Sequence, residues 1–198
     1  MAPRLRVAGY RVRCFSYSSV AANLALNAER LARFAESIDA PAVHFIGHSL
    51  GGLVVAQSLM RHPPFRPGRV ILMGSPFADS HVVRSLVANR LGRALLGRCL
   101  PAWLDSRPVA WPAAHELGVI AGSVGLGMGR LLAPGLAVPN DGAVAVRETI
   151  VPGAADHIVL SVSHSAMLVS GRVMDQVLHF LGYGRFRRDQ WPDAIRPV

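Results

Sequence analysis

Val43-His44-Phe45-Ile46-Gly47-His48-Ser49-Leu50-Gly51-Gly52-Leu53-Val54-Val55-Ala56 is the stretch that decides the fold. A short apolar, β-prone run enters Gly47-His48-Ser49-Leu50-Gly51, a G-x-S-x-G match, and a helix-forming run leaves it. Strand, sharp turn and helix with serine at the corner make a nucleophile elbow. Gly47 and Gly51 are expected to leave room for the turn, with Ser49 in a strained backbone conformation. The turn lifts the hydroxyl clear of the sheet. The new helix aims its free N–H groups, that of Leu50 among them, at an oxygen gathering negative charge. A bare G-x-S-x-G also occurs in ordinary glycine-rich strand–helix loops; the flanking strand, the helix and the doubled glycine favour the elbow here.

Working outward, short apolar runs alternate with helical periods, the pattern of an α/β fold with a mostly parallel sheet flanked by helices. Tyr10 to Ser16 reads as a first strand after a helical stub that ends at Gly9. Leu24, Ala28, Leu31, Ala35 and Ile38 recur at helical spacing and predict a helix over roughly 22–38. Val43 to Ile46 is the elbow strand, and 51–61 the elbow helix, stopped by Pro63-Pro64. Arg69 to Met73 and Leu117 to Ala121 are further strands, His157 to Val162 is the last, and a closing helix around Val173–Leu181 is capped by Gly182. Between 79 and 114 the pattern changes, with Val83, Val87, Leu91 and Leu95 on one helix face. The tail after Arg185 is polar and punctuated by proline, draped or frayed.

At 198 residues, 51% of them hydrophobic, the chain can bury one substantial core, so a single domain over 1–198 is expected. The net charge of +9 invites a nucleic-acid reading that the pattern does not support. All 21 basic residues are arginine, which with the abundance of Ala, Gly and Pro points to a compositional bias, and no basic stripe interleaved with aromatics occurs. Basic surface charge is still compatible with peripheral contact to acidic lipid head groups. Cys14 and Cys99 predict buried thiols rather than a disulfide framework or a metal site. No signal peptide opens the chain, and Leu117 to Val138, interrupted by Arg130, glycines and Pro134, reads as strand plus loop rather than a membrane span. A cytoplasmic protein is the expectation, with the oligomeric state left open.

A serine hydroxyl needs a base within hydrogen-bond reach and a carboxylate to orient that base. In this architecture such groups gather at the carboxyl ends of the strands, in the chain order Ser, acid, His. Asp141 follows the strand at Leu117–Ala121 after a loop, and His164 follows the last strand directly. Both fit and are preferred for the catalytic roles; the alternatives are a turn residue for Asp141, in Asp141-Gly142, and a loop histidine capping the next helix for His164. Asp156 and His157 sit at the wrong end of the last strand; His115 precedes its strand, His62 ends the elbow helix and His179 rides the closing helix. His48 neighbours the serine, but its side chain is expected to point away from the hydroxyl, for packing or substrate contact.

Gly47-His48-Ser49-Leu50-Gly51-Gly52 resembles the elbow of bacterial esterases and lipases of the α/β-hydrolase superfamily. Gly74-Ser75-Pro76, Ile120-Ala121-Gly122-Ser123, Asn140-Asp141-Gly142 and Ser163-His164-Ser165 resemble that group too, and the similarity spans roughly residues 8–184. The resemblance implies Ser49 as nucleophile, His164 as general base and acid, Asp141 as orienting carboxylate and the Leu50 N–H as one oxyanion donor. It implies neither cofactor nor metal, an ester or lipid substrate, and an acyl-enzyme route. It also implies that the segment at about 79–114 is a lid over an apolar pocket, an ordinary packing helix being the alternative. An acyltransferase with the same triad and a catalytically silent relative remain as rival readings.

The N-terminus departs from the pattern. Members of that superfamily carry, before the first strand seen here, an apolar strand ending in a His-Gly loop that supplies a second oxyanion N–H. No His-Gly occurs before residue 43. Losing one such donor costs on the order of 10²–10³ in rate. A start placed downstream of the natural one is the favoured expectation; a short variant with another donor, or a decayed copy, are the alternatives. Either a gap beside the sheet or a new register for Tyr10–Ser16 should follow.

Overall fold

In a computed structural model the described residues are 1–63, 66–87, 99, 103–104, 110–111, 114–126 and 134–188. Four parallel strands form one sheet in the order β1 (Phe45–His48), β2 (Arg69–Met73), β3 (Glu116–Gly122) and β4 (Asp156–Leu160). Ladder partners run Phe45 with Val70, Arg69 with Glu116, and Gly118 with Asp156. The helices delimited among the described residues are α1 (Ala2–Val7), α2 (Leu24–Glu36), α3 (Leu50–Arg61), α4 (His81–Val87) and α5 (Gly171–Tyr183), with single 3-10 turns at Val146–Thr149 and Ser165–Leu168.

The strands are apolar on both faces because helices cover both. Val70, Leu72, Leu117 and Val119 face a cluster with Leu24 and Leu31 of α2 and Leu53 and Val54 of α3. Ile71, Met73, Ile120 and Ile158 alternate to the other face, against Val173, Val177 and Phe180 of α5. Asn23 caps α2 by accepting from Leu26 N at 2.8 Å, and Ser170 caps α5 by accepting from Val173 N at 3.4 Å. Because all strands point the same way, the residues that leave β1, β2, β3 and β4 collect along one edge.

Several expectations need correction. Tyr10–Ser16 forms no strand, so β1 is an edge of the sheet. That segment is held by side chains rather than a ladder: Tyr10 meets His44 edge-on at 5.8 Å and Phe15 packs on Phe34 at 5.4 Å. Strand propensity without a backbone partner yields no strand. Cys14 lies in this segment and is exposed; only Cys99 is buried. The last strand stops at Leu160, short of Val162, and α5 runs on to be capped by Gly184 in the left-handed region at φ 70°, not by Gly182. The tail is draped as far as Arg188, whose guanidinium pairs with Asp156 at 2.6 Å, while Phe186 is buried.

Of the 79–114 segment, α4 buries Val83, and Trp103 packs against Phe77 at 5.2 Å with its indole N–H on the Phe77 carbonyl. Leu91 and Leu95 of the expected helix face lie outside the described residues, while Val87 ends α4. Among the described residues no helix is long and apolar enough to cross a membrane.

His157, at the start of β4, has its pKa pushed down to about 4, because burial disfavours the cation; Asp156 opposes the shift and Arg188 adds to it. In the unfolded chain it titrates near 6.5, so between these values only the unfolded state binds the proton. Stability present at neutral pH is therefore lost as pH falls through that window, by about 3 kcal/mol. Melting temperature measured across the window should drop steeply, and in His157→Gln the slope should flatten.

Candidate functional site

β1 ends at His48 and the chain turns into α3 at Ser49, with φ 54° and ψ −127°. Ser49 is the one non-glycine residue with positive φ among the described residues. Such a conformation costs on the order of 1–3 kcal/mol and persists only where the surroundings impose it. Here close packing imposes it. A Cβ on Gly47 would stand 2.4 Å from the Gly52 Cα, and one on Gly52 would stand 2.0 Å from Ser75 Oγ. The tight pair is thus Gly47 with Gly52; Gly51, expected to share the role, meets only the Tyr17 hydroxyl at 3.5 Å. Ser49 N donates to the Met73 carbonyl at 2.9 Å, tying the elbow to the end of β2. Leu50 opens α3, so its N–H belongs to the first turn, where helical geometry provides no intrahelical acceptor.

Asp141 and His164 meet at the same edge. His164 Nδ1 lies 2.7 Å from Asp141 Oδ2, and the two backbones are joined as well, His164 N to Asp141 O at 2.8 Å. Asp141 Oδ1 accepts from Ala143 N at 2.9 Å and Val144 N at 2.7 Å, so the turn and the site use opposite oxygens of one carboxyl group. The Asp141 side chain is 1% exposed and that of His164 17%: a buried acid behind an imidazole that reaches the surface. Opposite a carboxylate, which only accepts, the neutral imidazole would carry its proton on Nδ1 and present Nε2 as an acceptor.

Gly74, just after β2, lies directly beneath this pair. A Cβ there would stand 3.0 Å from Asp141 Oδ2 and 3.1 Å from His164 Nδ1. Ser49 is hydrogen-bonded to the residue before Gly74, and His48 rests its ring on that of His164 at 4.6 Å. The Ser49 backbone and the Asp141 and His164 side chains are therefore tied to the same end of β2. Among the described residues, however, no hydrogen bond runs from Ser49 to His164. Contacts of this kind often tighten only with substrate bound.

The other candidate histidines lie elsewhere. His115 faces the Gly68 carbonyl at 3.0 Å, His157 faces Thr149 Oγ1 at 3.2 Å, and His179 the Arg185 carbonyl at 2.7 Å; His62 is exposed. Asp156 is raised by burial, but Arg188 and the N–H groups of Phe186 and His157 outweigh that and hold it low. Sequence reasoning missed Glu148. It is buried, accepts from Ala145 N at 2.8 Å and from His81 N, and so ties the Asp141 loop to the start of α4. Burial pushes its pKa up, and those two N–H donors oppose the shift. The only local signal is a glutamate three residues into a short turn. Among the described residues no group of three His, Cys, Asp or Glu side chains is placed to hold a metal ion.

Solved structures share this arrangement of sheet and helices. Bacillus licheniformis lipase BlEst2 in mature form superposes with a TM-score of 0.57 at 17% identity, over 82% of this chain and 74% of that one. The chain has the α/β-hydrolase fold. A hydrolase from Pseudomonas aeruginosa PA01 superposes with a TM-score of 0.50 at 19% identity, over 84% of this chain and 75% of that one. No protein-family model matches the chain, and no curated protein matches it. At these identities the likeness is one of fold, and the chemistry must be argued from the residues.

Proposed function

We propose that this chain is a serine hydrolase that cleaves carboxylic esters through an acyl-enzyme. The observation that carries the proposal is the buried Asp141 bonded to His164 Nδ1 at 2.7 Å, on the sheet edge where Ser49 is held at positive φ. Ser49 Oγ attacks the ester carbonyl while His164 Nε2 takes its proton, and the carbonyl oxygen gathers charge opposite the Leu50 N–H. Collapse of the tetrahedral species breaks the bond to the alkoxy oxygen, which leaves as the alcohol with the proton from His164. Water, deprotonated by the same imidazole, then releases the acid and restores Ser49. Asp141 holds the imidazole in the tautomer that both steps need. Val124, Leu126, Leu136 and Val138 line a groove that reaches Asn140, beside Asp141, which favours an apolar acyl group or lipid.

A fluorophosphonate probe should label Ser49 in the folded protein, and p-nitrophenyl esters of graded chain length should be turned over with a preference for longer acyl groups. Transfer to an added alcohol or amine in preference to water would make the chain an acyltransferase. A folded protein that neither labels nor turns over ester would be a silent relative, and the hydrolase reading would be wrong.

A further inference from the structure

His48 lies outside the relay just proposed, yet it links the nucleophile's strand directly to the base by a hydrogen bond and a ring contact. We propose that His48 is a positioning residue: it holds the His164 backbone and ring in place relative to Ser49. This rests on the reading of Ser49 and His164 as nucleophile and base.

The geometry is specific. His48 Nε2 lies 2.9 Å from the His164 carbonyl oxygen, and the two rings are 4.6 Å apart with their planes inclined at 46°. A carbonyl only accepts, so the His48 nitrogen must be the donor, and its tautomer is set. The His164 backbone is then held on both sides, its N–H by the Asp141 carbonyl and its own carbonyl by His48. With both flanking peptides fixed, the direction of the Cα–Cβ bond follows, and Asp141 Oδ2 sets the ring from there.

The sheet makes such a strut useful. Ser49 leaves β1 and His164 follows β4, and the order β1-β2-β3-β4 puts those strands three ladder steps apart. At the usual spacing that is about 14 Å, over which twist and breathing of the sheet accumulate. A nucleophile and base positioned only through the sheet would inherit all of that variation. His48 is covalently next to Ser49 and bonded to residue 164, so it bypasses the intervening strands. Burial, and then the proximity of His164, push the His48 pKa down, in keeping with a neutral ring beside an imidazole that becomes cationic during turnover.

Three substitutions test the strut. His48→Gln keeps an amide N–H at the reach of Nε2, His48→Asn carries the same group too short to arrive, and His48→Phe keeps the flat ring without a donor. Asn and Phe should lose about 10–100-fold in kcat with KM little changed, the scale of a misplaced catalytic group, and Gln should recover most of it. A second readout needs no turnover. The low-field proton resonance of the His164–Asp141 hydrogen bond should be present in the wild type and Gln, and broadened or lost in Asn and Phe. Unchanged kcat and an unchanged resonance in Asn or Phe would overturn the proposal, as would a pure rise in KM, which would make His48 a substrate contact. If Phe fails to fold, the Gln and Asn pair decides. Should the wild type itself prove inactive, the hydrolase reading falls, and the resonance still decides the role of His48.

Discussion

Replacing Ser49 by alanine should lower kcat for a p-nitrophenyl ester by on the order of a millionfold, about 8 kcal/mol of transition-state stabilisation. The size follows from what remains. With no hydroxyl the covalent route is closed, and His164, Asp141 and the Leu50 N–H have no attacking atom to act upon. Residual turnover should stay above the background reaction, because the proposed oxyanion donor and groove would survive the change. Stability should separate from activity at this position. Alanine keeps the strain at φ 54°, whereas Ser49→Gly releases it and should raise the unfolding free energy by about 1 kcal/mol while being just as inactive. Steady-state kinetics with thermal denaturation of both variants checks this. A Ser49→Ala protein within tenfold of wild-type kcat would place the nucleophile elsewhere.

The contrast between Ser49 and the rest of the site shows which features the sequence carried. The elbow was legible because its determinants are local: strand, turn, glycines and helix follow one another without a break from Phe45 to Arg61. β2, β3, α2 and α5 were legible for a related reason, since apolar spacing within each element already states which face it buries. Tyr10–Ser16 was misread because a strand is a property of two segments, and its neighbour β1 offers it no ladder. The close pairing of Gly47 with Gly52 was not legible either, because one of the contacts behind it involves Ser75 on the loop after β2. Asp141 and His164 were singled out by their order and position relative to strands, and His164 Nδ1 lies 2.7 Å from Asp141 Oδ2. No such rule reaches His48 or Glu148. His48 meets the carbonyl of a residue 116 positions away, and Glu148 bonds a backbone N–H 67 positions away, so neither side chain can be assigned a task until the sheet has been folded.

Asp141→Asn should be less damaging than the loss of the serine but still severe, with kcat lower by about 10⁴ and little change in KM or fold. The two oxygens of Asp141 have different duties, and asparagine can perform only one of them. Oδ1 accepts from Ala143 N and Val144 N, which no amide N–H₂ group can do, so the asparagine carbonyl must take that place. Its N–H₂ group then replaces Oδ2 opposite His164 Nδ1. A donor facing Nδ1 moves the imidazole proton to Nε2, the nitrogen that must accept from Ser49, and the base is in the wrong tautomer although every atom is near its original position. The carboxylate that stabilises the imidazolium formed during attack is lost at the same time. Because the turn hydrogen bonds are kept, the melting temperature should fall far less than in Asp141→Ala, which leaves the Ala143 and Val144 N–H groups without the Oδ1 acceptor. Fluorophosphonate labelling should slow in parallel with kcat, since it too requires Nε2 to take the serine proton. A low-field proton resonance that persists in Asp141→Asn, or a kcat within tenfold of wild type, would mean that another acid orients His164.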